Sequence, residues 1–139
     1  VRPKKIILCV EQNETALAIR KFLLQTRGYR VIGAVGAQQA IDAFNAQLPD
    51  LVLTDLVLPG IDGNELVRNL KDAARFVPMI ISSPFARPLA SHHADAFLPN
   101  GSSPAELLER IKILTIRKRG PKKHAESIVA AALKSRRAA

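Results

Sequence analysis

Three side chains of this 139-residue chain have types and positions suited to phosphorus chemistry. Glu11 follows the apolar run IILCV, Asp55 follows LVLT, and Ser83 closes PMIISS. Each stands where a stretch of buried character ends. A carboxylate can attack phosphorus and form an acyl phosphate. A second carboxylate beside it makes a place for a hard cation such as Mg²⁺, which takes oxygen ligands and keeps several waters. A hydroxyl close by can donate a hydrogen bond to the added phosphoryl oxygen. A lone Asp55 would read as a strand-terminal residue tying down a loop. Glu11 and Ser83 at equivalent places shift the balance toward chemistry. Cys9, inside IILCV, reads as a small buried hydrophobe. His92-His93 reads as an exposed loop pair, since neighbours on a short turn rarely ligate one ion.

Those positions have meaning only if the runs are strands of one sheet. Ile6–Val10 has strand length. Asn13 suits the cap of a helix beginning at Glu14, with Ala16, Leu17, Ile19, Phe22, Leu23 and Leu24 at helical spacing and Gly28 as its stop. The pattern then predicts a strand over Val31–Val35 and a helix over Ala37–Leu48, with Ile41, Phe44 and Leu48 on one face, ended by Pro49-Asp50. A third strand follows over Leu51–Thr54, and a helix over Gly63–Leu70. Pro78–Ser82 and Ala96–Leu98 read as the fourth and fifth strands. Ser103 suits the cap of a last helix, with Pro104 and Glu106 in its first turn and Leu107, Leu108, Ile111 and Leu114 on its apolar side. The strands are continuous apolar runs, which predicts a parallel sheet covered by helices on both faces, an α/β fold. Chemistry in such sheets sits at the carboxyl ends of the strands. The fourth unit is short. Between Ser83 and Ala96 lie Pro84, Pro88 and the histidine pair, leaving room for one or two turns around 89–93.

A chain this long forms one domain and buries roughly two thirds of its unfolded surface. With 47% hydrophobic and 24% charged residues the composition is that of a globular protein. No apolar stretch approaches the ~18 residues of a membrane span, and the run after the basic start is too short for a secretory signal. The single cysteine fits a reducing compartment, so the expectation is a cytoplasmic protein. The net charge of +9 is unevenly spread: residues 117–139 hold 8 of the 21 Lys/Arg and one acid. The basicity therefore belongs to a tail. Domain boundaries are expected at 1–117 for the body and 118–139 for a basic tail, whose residues 124–137 have helical spacing. No aromatic residue interleaves the tail's cations, which argues against nucleic acid as its partner.

The order of elements, Glu11 after IILCV, the segment TDLVLPGIDGNEL and the hydroxyl in PMIISSP together resemble the receiver domain of two-component response regulators. The resemblance spans about residues 4–117 and is strongest from Asp55 to Gly63. It implies a flavodoxin-like, doubly wound five-stranded sheet in the order 2-1-3-4-5, here with a shortened fourth helix. It implies that Asp55 accepts a phosphoryl group from a histidine kinase or phosphotransfer protein. Mg²⁺ would be held by Glu11, Asp55 and the backbone carbonyl of Val57. Pro59 and Gly63 match the positions that shape the loop after the acceptor. Ser83 and Phe97 match the paired hydroxyl and aromatic switch, whose movement alters a surface for a downstream protein or a second copy of the chain.

Two departures from the family pattern stand out. The usual second acid after the first strand is Gln12, a neutral side chain, which weakens the metal site. The signature lysine after the fifth strand is Asn100, which donates hydrogen bonds but carries no charge. Two functions of different class follow: a phosphoryl-accepting switch, or a phosphorylation-independent interaction module on the same scaffold. Neither is an enzyme. A haloacid-type phosphatase needs an acid at position 57, where this chain has valine, and GAVGAQQA lacks the spacing of a dinucleotide loop.

Overall fold

The computed structural model describes residues 3–86, 91–99 and 101–116. Its elements are β1 (Ile6–Val10), α1 (Glu14–Thr26), β2 (Arg30–Ala34), α2 (Ala37–Ala46), β3 (Leu51–Asp55), α3 (Gly63–Ala73), β4 (Met79–Ser82), β5 (Ala96–Leu98) and α4 (Pro104–Ile116). The five strands pair in parallel in the order β2-β1-β3-β4-β5, as the sequence predicts. The expected strand and helix boundaries hold to within a few residues; β2 begins at Arg30, one residue early, and α2 stops at Ala46, short of Leu48.

The continuous apolar runs conceal a strict alternation. Leu8, Val10, Val52, Met79 and Ile81 face one layer, where Phe44 of α2 and Leu66, Val67 and Leu70 of α3 cover them. Ile7, Cys9, Leu51, Leu53 and Ile80 face the other, under Leu24 of α1 and Leu107, Ile111 and Leu114 of α4. A strand buried on both faces needs apolar residues at every position, so the period of two disappears from the sequence. One expectation fails here. Ile19 and Phe22, assigned above to the apolar side of α1, are 66% and 70% exposed. The helix instead turns Leu17 and Leu24 to the sheet.

The caps read at Asn13 and Ser103 are formed, and Asp62 adds one that the sequence reading did not name. Asn13 Oδ1 accepts the Ala16 N–H at 2.9 Å, and Asp62 Oδ1 accepts the Glu65 N–H at 2.8 Å. Ser103 and Glu106 form a reciprocal capping box, with Glu106 N–H donating to Ser103 Oγ at 3.1 Å and Ser103 N–H to Glu106 Oε1 at 3.3 Å.

Between β4 and β5 no helix is present among the described residues. The turns expected at 89–93 lie partly outside them. The crossing is tied down by Asp95, whose Oδ2 accepts from Lys71 Nζ at 2.7 Å and from the Met79 N–H at 2.8 Å. Lys71 also donates to the carbonyls of Arg75 and Val77, so one ammonium fastens the end of α3 to the start of β5. Lys71→Met should lower stability in urea by about 1 kcal/mol, since the pair is part-buried and the carbonyls stay within reach of water.

Candidate functional site

β1, β3 and β4 end side by side. Asp55 pairs in register with Ser82, and Val10 with Thr54, so Glu11 and Asp55 emerge from neighbouring strands at the same rim. Glu11 is 8% exposed, and its Oε1 accepts the Asn13 N–H at 3.1 Å, which holds the side chain above the start of α1. The Leu56 N–H donates to the Ser82 carbonyl at 2.8 Å, carrying the β3–β4 pairing one residue past the acid. Ser83 is buried beyond the end of β4; its Oγ accepts the Phe85 N–H at 3.0 Å.

The loop after Asp55 doubles back sharply. Pro59 supplies a fixed φ, and Gly60 follows with φ +83°, the left-handed conformation a turn of this kind demands. Asp62 caps α3, and Gly63 begins it. The Gly63 N–H donates to the Leu56 carbonyl at 2.6 Å. A Cβ at Gly63 would collide with the carbonyl oxygen of Asp55. Only glycine lets the start of α3 lie directly on the tip of β3, which fixes the backbone that carries Asp55.

Sequence reasoning missed one member of the site. Arg20 reaches in from α1, its Nη1 3.2 Å from Asp55 Oδ1 and 3.9 Å from Glu11 Oε2. The signal was present: Leu17, Arg20 and Leu24 share one face at i, i+3, i+7 spacing, so a guanidinium interrupts the stripe that packs on the sheet. Burial, the neighbouring Glu11 carboxylate and Glu11's hydrogen bond push the Asp55 carboxyl up to about 7, and Arg20 opposes them. Beneath this cluster burial pushes the Cys9 thiol up to about 12, which makes it inert packing, as expected.

The remaining predicted positions divide. Val57 is 44% exposed in the loop that follows Asp55, and Gln12 is exposed beside Glu11. Phe97 is half-buried on β5, away from the acids, and stacks on His92 with ring centroids 5.4 Å apart and planes at 26°. His92 is thus not the free loop residue the sequence suggested. Its Nδ1 is buried without a hydrogen-bond partner among the described residues. His93 is exposed, its N–H donating to Asn64 Oδ1. Asn100 lies outside the described residues. No three His, Cys, Asp or Glu side chains cluster as a metal cage among the described residues. Two carboxylates, one carbonyl and water are nonetheless the donor chemistry that suits Mg²⁺, and two crowded acids with a single guanidinium leave negative charge for a cation to neutralise.

A model of the response regulator receiver domain matches residues 7–112. The chain belongs to this family. Among curated relatives, the receiver is 33% identical over 84 residues to the polar-differentiation response regulator DivK of Brucella anthropi, covering 59% of this chain and 68% of that protein. It is 28% identical over 115 residues to the alkaline phosphatase synthesis transcriptional regulatory protein PhoP of Bacillus subtilis. That match takes in 79% of this chain and 48% of PhoP, so the receiver spans about half the length of that relative. Solved structures agree. A CheY-like receiver domain from Methanospirillum hungatei superposes with TM-score 0.75 at 25% identity, over 81% of this chain and 94% of that one. The response regulator TrrA from Thermotoga maritima, solved in complex with Mg²⁺ and BeF, does so with TM-score 0.73 at 27% identity, over 79% of this chain and 98% of that one. Receiver domains are signalling modules. Among the described residues of this one, no helix is long and apolar enough to cross a membrane.

Proposed function

We propose that this receiver is a phosphoryl-accepting switch in a cytoplasmic phosphorelay, with Asp55 as the acceptor. The observation that carries the reading is Asp55 itself, held at the tip of β3 beside Glu11 by a backbone that Gly63 locks in place. In the step proposed, an Asp55 carboxylate oxygen attacks the phosphorus of a phosphohistidine on a kinase or phosphotransfer protein. The new O–P bond forms as the P–N bond breaks. The imidazole nitrogen keeps the electron pair and takes up a proton. Glu11, Asp55 and the Val57 carbonyl would hold Mg²⁺, which supplies positive charge to the phosphoryl oxygens; Gln12 adds none. The Ser83 hydroxyl donates a hydrogen bond to a phosphoryl oxygen while its Oγ can still accept the Phe85 N–H, and Phe97 moves with it. The body, residues 1–117, carries the switch and presents the altered surface to a downstream protein or a second copy of the chain. The basic tail, residues 118–139, lies outside the described residues.

A second reading has one observation in its favour. Arg20 already pairs with Asp55, as a permanent ion pair in a phosphorylation-independent interaction module would. Incubation with Mg²⁺ and acetyl phosphate, followed by intact-mass measurement, separates the two. One added phosphoryl group in the wild type and none in Asp55→Asn is the expected result. An unchanged mass with small donors and with phosphorylated kinases would leave only the interaction module.

A further inference from the structure

Arg20 is buried to a degree that an ordinary surface arginine is not. Its side chain is 23% exposed and sits on the face of α1 turned to the sheet. Leucine would pack there without the cost of drawing a charge away from water. The guanidinium has five N–H donors; one donates to Asp55 Oδ1 at 3.2 Å, and the group also lies against the Cys9 thiol, which leaves donors to spare. Arg20 also lines a groove of about 410 Å³ together with Ser82, Ser83, Pro99 and Gly101. That groove opens between α1 and the loop after β5. No other cation among the described residues forms an ion pair with Asp55.

We propose that Arg20 is the phosphoryl-binding cation of this receiver, supplied from α1 in place of a charge from the loop after β5. The inference rests on the acceptor reading above. In the unmodified protein the guanidinium bridges Asp55 and Glu11. Once Asp55 carries a phosphoryl group, two or more of its N–H groups donate to the phosphoryl oxygens, a planar fork meeting a tetrahedral anion. The same side chain stands among the carboxylates a divalent ion would use, so it aids capture of the anion without aiding capture of the metal.

Fluoroberyllate, a tetrahedral phosphoryl mimic, tests this directly. The full chain as wild type, Arg20→Gln, Arg20→Lys and Asp55→Asn would be titrated with it in excess Mg²⁺ and followed by fluorine NMR. Mg²⁺ binding alone would be measured by calorimetry. Arg20→Gln is expected to need at least about tenfold more fluoroberyllate for half-saturation, with Arg20→Lys between it and the wild type. Its Mg²⁺ affinity is expected to be equal or higher. Equal fluoroberyllate capture by wild type and Arg20→Gln would overturn the proposal and leave the acceptor reading standing. A parallel fall in Mg²⁺ affinity would overturn it too, by showing that Arg20 only orders the carboxylates. Should Arg20→Gln fail to fold, a Lys variant that folds and captures the mimic at the wild-type concentration overturns the fork geometry proposed. A wild type that takes up neither fluoroberyllate nor phosphoryl removes the acceptor reading, and this inference with it.

Discussion

Gly63→Ala is expected to cost about 3 kcal/mol or more and to abolish a sharp thermal unfolding transition. The added methyl group meets the Asp55 carbonyl oxygen and the Leu56 backbone, and neither can give way. Asp55 is in the central strand, paired to β1 and β4 on either side. The Gly63 N–H is committed to the Leu56 carbonyl at 2.6 Å, so α3 cannot slide outward without breaking that bond and loosening its Asp62 cap. Overpacking against mobile side chains costs about 1–3 kcal/mol, and backbone is less forgiving. Domains of this size hold about 5–15 kcal/mol in all. Gly36→Ala is the control, because nothing lies within 4 Å of a Cβ there and its φ of −172° is open to any residue. Urea unfolding of both variants measures the difference. A Gly63→Ala protein as stable as Gly36→Ala would mean that α3 does not rest on β3 as described.

The second large effect is a gain. Asp55→Asn should stabilise the metal-free protein at pH 8 by about 2 kcal/mol, and not at all at pH 4. The Asp55 carboxyl is raised from 3.8 in the unfolded chain to about 7 in the fold. The folded state therefore holds a proton that the unfolded state has released. The stability this contributes is complete below pH 4 and is lost as pH rises through 7. The full shift would convert to about 4 kcal/mol, and solvent at the rim screens roughly half of it. Asparagine has nothing to ionise, so the difference between the two proteins reports the Asp55–Glu11 pair apart from the carboxylates elsewhere in the chain. Chemical denaturation at pH steps from 4 to 8 gives the curve. Mg²⁺ should restore the wild type at pH 8 and leave the Asn variant unmoved. Parallel pH curves for the two proteins would mean that Asp55 ionises in the fold as it does in the open chain.

Much of the fold was legible because burial on both faces writes itself as uninterrupted apolar runs. IILCV, LVLT and PMII could be read as strands, and the turn and cap residues between them placed the helices. Glu11 and Asp55 were found the same way, as acids at the ends of such runs. What the pattern could not resolve was direction around a helix. Ile19 and Phe22 match the helical period yet face solvent, while Arg20, which lies outside the apolar pattern, faces inward. Periodicity sorts residues by hydropathy, and a charge whose partner comes from another strand is invisible to it. His92 escaped for a related reason: a stacking partner five residues away across a turn leaves no local mark.

The rim that bears Asp55 is lopsided. The acid's strand is held by α3 through the Leu56 carbonyl and is paired over four residues to β1 and over four to β4. Beyond β4 lies a terminal strand of three residues, whose central ring, Phe97, stacks on the His92 imidazole, a ring whose buried Nδ1 has no hydrogen-bond partner among the described residues. The sheet's pairing thins toward that edge, from five residues between β1 and β2 and four on either side of β3 to three between β4 and β5. The edge strand β5 is thus the least paired member of the sheet, and it is the one that carries Phe97.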